Sequence, residues 1–212
     1  MRVAYPVSVS IEPRLAERNR LTAAFRLILA IPHLIVVGSV GLGLAVRSGR
    51  GDSTSLGGET GLLGAVTWIL AIVSWVTILI GGEHINAIRR FTRYYLRWRV
   101  RAIAYTMLLE DQYPPFGDAP YPAALTVADP AGERNRLTVA FRIILAIPHL
   151  IVLVFLMLAW WATAFVGWLL ILIDGRYPQP LYTFGAGALQ WLIRVEAYLL
   201  LMTDEYPPFS FT

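Results

Sequence analysis

Cysteine is absent from this 212-residue chain, which excludes disulfides, thiol chemistry, iron–sulfur clusters and Cys-ligated zinc, and leaves the redox compartment unread. Lysine is absent too, since all 18 basic residues are arginine. Guanidinium and ammonium groups differ chemically, but a GC-rich genome explains the bias without a functional demand, so no partner is drawn from it. Charge is scarce: 15% of residues are charged against 57% apolar, with a mean hydropathy of +0.58. That balance lies outside the usual soluble range and makes the bilayer the expected solvent. The first twenty residues contain no apolar signal-peptide core and no small-residue cleavage site. The first hydrophobic segment is therefore expected to serve as its own uncleaved insertion signal.

What the chain does contain is a duplication. Residues 17–36 read ERNRLTAAFRLILAIPHLIV and residues 133–152 read ERNRLTVAFRIILAIPHLIV, differing only at Ala23/Val139 and Leu27/Ile143. The likeness continues without a gap from Trp68–Phe116 onto Trp161–Phe209. It pairs Trp75 with Trp168, Gly82 with Gly175, Trp98 with Trp191, Arg101 with Arg194, Tyr105 with Tyr198 and YPPF with YPPF. Upstream, Tyr5-Pro6 is repeated as Tyr121-Pro122, each leading into a short alternating run that Pro13 or Pro130 closes. Both runs are expected to be extended segments outside the bilayer. The two units are 1–116 and 117–212.

In the first unit, 21–46 and 62–80 are apolar enough to cross about 30 Å of hydrocarbon. They are separated by a polar, glycine- and serine-rich connection over 47–61. A hairpin over 20–80 follows, with a kink at Ile31-Pro32. In the second unit 143–173 is one unbroken apolar run. A single helix of that length would be about 46 Å long, too long for an upright span, so a tight or partly re-entrant hairpin over 137–173, turning near 156–160, is predicted.

The third segment of unit one, 85–109, carries Arg89, Arg90, Arg93, Arg97 and Arg101 on one helical face. Ile85, Ile88, Phe91, Tyr95, Trp98 and Ala102 lie on the other. An arginine at mid-bilayer costs about 2.5–3.5 kcal/mol, more than neighbouring apolar residues return. This helix is predicted to lie in the interface with its guanidinium groups on lipid phosphate. Its counterpart is the helix over 181–203. The fold class is thus an all-α membrane protein of two tandem units, each a transmembrane hairpin plus an amphipathic helix.

The second unit resembles an uncharacterised bacterial integral-membrane family, domain of unknown function 4389. The likeness rests on YP with alternating residues, on LAIPHLIV, and on the run WLLILIDGRYPQPLYTFGAGALQWLIRVEAYLLLMTDEYPPFSF. It covers 121–211 closely and 5–116 more loosely. It implies a bacterial multi-helix membrane domain repeated in tandem and brings no activity with it. Unit one departs by replacing GRYPQP with GEHINA, by its longer first loop and by most of its arginine stripe.

If each unit adds one hairpin, 16 of the 18 arginines lie on one side and only Arg47 and Arg50 on the other. The positive-inside rule then predicts a multi-pass protein of the bacterial plasma membrane with both termini cytoplasmic. The units are parallel about an axis along the membrane normal. A six-span arrangement with an inverted second unit competes. It is opposed by 85–109.

The candidate pocket is Arg26, His33, Arg142 and His149. Each histidine follows the proline that frees a backbone carbonyl, and each arginine sits two turns earlier on nearly the same face. In one reading the histidines cap those carbonyls and the arginines reach the interface. In the other, the four side chains line a shared pocket for an anionic headgroup or solute. Two histidines without a carboxylate fall short of a metal site. No nucleotide-binding glycine motif, zinc-protease helix or coupled nucleophile and base is visible. No cofactor or nucleic-acid partner is expected, nor is an enzyme. The sequence points to a non-catalytic scaffold or accessory subunit acting on anionic lipid, a membrane-protein partner or a second copy; the alternative is a small carrier using the Arg/His pocket.

Overall fold

The computed structural model describes residues 5–40, 61–129 and 134–211. Most of the expected connection over 47–61, together with Pro130, lies outside them. The described elements are β1 (Val7–Ile11), α1 (Arg20–Ala24), α2 (Arg26–Val37), α3 (Gly61–Gly81), α4 (Asn86–Thr106), β2 (Ala123–Val127), α5 (Arg136–Ala140), α6 (Arg142–Asp174) and α7 (Gln179–Leu199). Of these, α3 and α6 are long and apolar enough to cross a membrane.

The second hairpin predicted over 137–173 is corrected: α6 runs as one 33-residue helix, Arg142–Asp174. Residues 154–160 read VFLMLAW and offer neither glycine nor proline, so nothing there opposes continued i→i−4 bonding. The first unit reaches the same path in two pieces. Gly61 lies directly against Gly38 and the Val36 carbonyl, so α3 starts where α2 stops. In the repeat alignment Val37 and Gly61 match Leu153 and Val154, which are neighbours in α6. The buried positions agree as well. Arg26, Ala30, His33 and Val37 match Arg142, Ala146, His149 and Leu153, while Gly64, Thr67, Ala71, Ser74 and Ile78 match Met157, Trp160, Ala164, Gly167 and Ile171. The α2–α3 pair is therefore α6 with an insertion at 38–60, and not a hairpin. Excising 38–60 is expected to leave the fold intact, with helical circular dichroism and a cooperative melt retained in detergent. Loss of the cooperative transition would contradict this correspondence.

Pro32 and Pro148 are accommodated within α2 and α6, and the chain breaks instead at Phe25 and Phe141. Asn19 caps α1 through Thr22 N–H, and Asn135 caps α5 through Leu137 and Thr138 N–H. Gly82 and Gly175 end the long helices at φ 77° and 69°, a left-handed conformation that glycine adopts without Cβ strain.

The two extended segments pair with each other, β1 antiparallel to β2. Val9 stands opposite Leu125, its own repeat equivalent, so the pseudo-twofold axis passes through that pair. Reciprocal bonds obey the same axis. Trp75 Nε1 donates to Val139 O and Trp168 Nε1 to Ala23 O, both at 3.0 Å. Tyr121 Oη donates to Gln112 O at 2.8 Å and Tyr5 Oη to Glu205 O at 3.0 Å.

These contacts fix the direction of the long helices. Rotation about an axis leaves height along it unchanged. The N-terminal end of the α1–α3 run meets the C-terminal half of α6, and the end of α3 meets α5. Both ends of each long helix therefore share one height, and the helices run antiparallel across the axis. Above them lie α4 and α7, which carry β2 and β1 respectively on their far side. Ser8, Ser10 and Thr126 point outward from the strands, while Gln190 of α7 covers part of the β1 edge through Val9 N–H and Val7 O.

The apolar face of α4 packs into protein rather than facing lipid: Tyr95, Trp98 and Ala102 are all buried against the core. Its dense aromatic and aliphatic content is satisfied by α2, α3, α7 and β2.

Candidate functional site

The repeated N-terminal motif and the repeated YPPF turn fold onto each other within each unit. In unit one, the Arg26 guanidinium donates to the carbonyls of Tyr105 and Glu110 and to Asp111 Oδ1. Its Cζ sits 4.6 Å from the Tyr105 ring centroid, a cation–π contact. Arg18 donates to Asp111 Oδ1 at 2.8 Å and to the carbonyls of Leu108 and Leu109. In unit two, Arg142 donates to Tyr198 O at 2.7 Å, Thr203 O at 2.9 Å and Asp204 Oδ1 at 2.6 Å, above the Tyr198 ring at 4.4 Å. Arg134 holds Leu201 O at 2.7 Å and forms an ion pair with Asp204.

Each clamp closes on a backbone that needs holding. Leu108 and Leu201 have φ of 63° and 64°, a left-handed conformation that costs a non-glycine residue about 1–2 kcal/mol. Arg18 and Arg134 bind the carbonyls of these two residues.

The histidines are held by their own units. Trp98 Nε1 donates to His33 Nδ1 at 2.9 Å, and Trp191 Nε1 donates to His149 Nδ1 at 3.1 Å. His33 stacks on Phe116 at 4.4 Å and His149 on Phe209 at 3.9 Å, between ring centroids. With Nδ1 accepting, the neutral ring carries its proton on Nε2. Nε2 is buried without a partner at hydrogen-bonding geometry in both rings. Neither histidine makes the expected bond to the carbonyl that proline frees in its own helix.

Arg26 and His33 thus belong to one cluster and Arg142 and His149 to the other. A cavity of about 210 Å³ reaches Arg26 between α1, the end of α4 and α6; Trp161, Phe165 and Trp168 form one wall, and His33, Arg142 and His149 do not line it. Of the basic stripe, Arg89 and Arg93 form ion pairs with Asp129 beyond the end of β2. Arg90 is exposed and Arg97 half-buried. Arg101 is buried and donates to Gly117 O at 2.6 Å. Arg99, which lies off that stripe, is fully buried. It binds Glu196 Oε2 through Nε at 2.7 Å and Val37 O at 2.8 Å.

Sequence reasoning missed Arg18, Arg134, Asp111, Asp204, Trp98 and Trp191 as cluster members. The signal was present, since all six stand at matched positions of the repeat. Among the described residues, no group of three His, Asp or Glu is placed to hold a metal ion.

Trp98, Asp111 and Phe116 of the first cluster, and the second cluster apart from Arg134, fall in segments that match a known family. The family described as Domain of unknown function (DUF4389) matches residues 60–117 and again 136–210. This chain belongs to that family. The two matched regions are consistent with tandem copies of the domain, the first beginning where the insertion ends. No curated protein and no solved structure matches the chain.

Proposed function

We propose that the chain is a non-catalytic membrane scaffold or accessory subunit. It attaches to the cytoplasmic side of the bacterial plasma membrane, with both termini in the cytoplasm, and organises a membrane complex or the local anionic lipid. The observation that carries this reading is the engagement of Arg26, Arg142, His33 and His149 by carbonyls, carboxylates and indoles of their own units. The long helices meanwhile turn a row of exposed apolar side chains outward. Side chains committed to holding a turn are not available to grip cargo. The cavity beside Arg26 is what favours the second reading, a small carrier for an anionic lipid.

The two readings separate in a lipid count. The protein would be isolated in mild detergent, and phospholipid per folded molecule read by native mass spectrometry for wild type, Arg26→Gln and Asp111→Asn. A scaffold loses stability in both variants while its bound phospholipid stays constant. A carrier loses anionic lipid in Arg26→Gln alone, and that outcome would overturn the scaffold reading. For sidedness, single cysteines at Glu12, Asp118 and Glu205 should resist an impermeant maleimide in intact cells and react after permeabilisation.

A further inference from the structure

We infer that the two long helices lie flat in one leaflet, as a half-embedded platform, instead of crossing the bilayer. The inference deepens the proposed membrane attachment and rests on it. The occupant of the exposed face is lipid hydrocarbon, and four observations support that choice.

The first is symmetry. The pseudo-twofold axis is perpendicular to the long helices and passes through Val9 and Leu125. Were the helices to span, the axis would lie in the membrane plane and the strand pair would sit at mid-depth. Exposed Ser8, Ser10 and Thr126 and the outer strand edges would then face acyl chains, which have no hydrogen bonds to offer. Lying flat, the same axis runs along the membrane normal and the exposed strand groups, Ser8, Ser10 and Thr126, face water.

The second is length. A 33-residue helix such as α6 is about 50 Å long. Fitting it into about 30 Å of hydrocarbon needs a tilt of roughly 50°, beyond the roughly 0–40° of spanning helices.

The third is that the outward apolar face is the same in both repeats and extends to both ends. Ile28 and Ile144 are 63% and 61% exposed, Ile35 and Ile151 57% each, and Ile80 and Ile173 77% and 67%. A helix inserted sideways buries one such face about 5–10 Å into the leaflet.

The fourth is charge. Arg136 packs against Gly82 at the end of α3, and Arg20 against Gly175 at the end of α6. Both are exposed. They place cations at the helix C-termini, where the macrodipole favours them, and at opposite ends of the platform, within reach of anionic headgroups.

Because the chain has no cysteine, the test is direct. Ile144→Cys, Ile151→Cys, Leu158→Cys, Phe165→Cys and Ile173→Cys sample one exposed face of α6 from end to end. Each full-length variant would be labelled with a bimane and reconstituted into phosphatidylcholine/phosphatidylglycerol vesicles. Depth would be read from quenching by lipids carrying a nitroxide near the headgroup or deep in the chain. The expected result is one shallow depth at all five positions, within a few Å. A profile deepest at Leu158→Cys and shallow at both ends would overturn the platform and leave membrane attachment standing. Vesicle co-sedimentation without quenching would mean that protein, such as a second copy, covers the face, and would also overturn it. Failure to co-sediment would overturn the attachment on which the inference rests.

Discussion

Replacing Arg142 by methionine should destabilise the protein by about 3–5 kcal/mol, the usual cost of removing one partner from a buried ion pair. The guanidinium is buried, and its side chain together with that of Asp204 is 2% and 23% exposed. Its loss strands the carbonyls of Tyr198 and Thr203 and leaves the Asp204 carboxylate to Arg134 alone of the two arginines that pair with it. Lysine should recover only part of this, because an ammonium group cannot present the planar fork that meets two carbonyls and a carboxylate while lying over Tyr198. Arg26→Met should cost a similar amount, since Arg26 makes the matching contacts with Tyr105, Glu110 and Asp111. Denaturant or thermal unfolding in detergent measures both. A loss below about 1 kcal/mol, the scale of an exposed pair, would contradict the clamp.

Acid should loosen the first clamp by a related route. Burial pushes the Asp111 carboxyl up, but Arg18 and Arg26 beside it more than offset this and hold it below the usual carboxylate range. A carboxyl depressed in the folded state contributes stability that is present above its unfolded pKa of about 3.9 and is lost as pH falls through the folded value. The unfolding midpoint should therefore drop below about pH 4, and Asp111→Asn should flatten that drop.

The duplicated motif, the two extended segments and the burial-competent face through Arg26 and His33 were legible in sequence because they depend on local period and repetition. The partners were not. Asp111 lies far along the chain from Arg26, and no periodicity states which turn an arginine will grip, although the matched Asp204 and Trp191 offered a clue. The second hairpin was misread because an upright span was assumed, which made α6 look too long. The structure removes the conflict by running the helix across the symmetry axis. Arg99 lies off the face that the other arginines of α4 share. A helical wheel separates a stripe from an outlier, and here the outlier is the residue that points into the core.

That outlier carries the second large effect. Arg99 and Glu196 are 1% and 4% exposed, and Glu196 also accepts the Tyr95 hydroxyl at 3.0 Å. Breaking the pair with Arg99→Leu or Glu196→Ile alone should cost about 3–5 kcal/mol, because either leaves a buried charge without its counter-charge. The repeat itself supplies the remedy. Applying the pseudo-twofold to Arg99 and Glu196 gives Leu192 and Ile103, both fully buried in the same core, so the symmetric counterpart of this ion pair is an aliphatic contact. Combining Arg99→Leu and Glu196→Ile with Tyr95→Phe, which removes the hydroxyl left without an acceptor, should restore stability to within about 1 kcal/mol of the parent or exceed it, as apolar replacements of buried ion pairs often do. Chemical denaturation of the two single variants and the triple variant decides the matter. A triple variant no more stable than the singles would mean that Arg99 is needed chiefly to satisfy the Val37 carbonyl at the end of α2, and that charge pairing across the repeat is secondary.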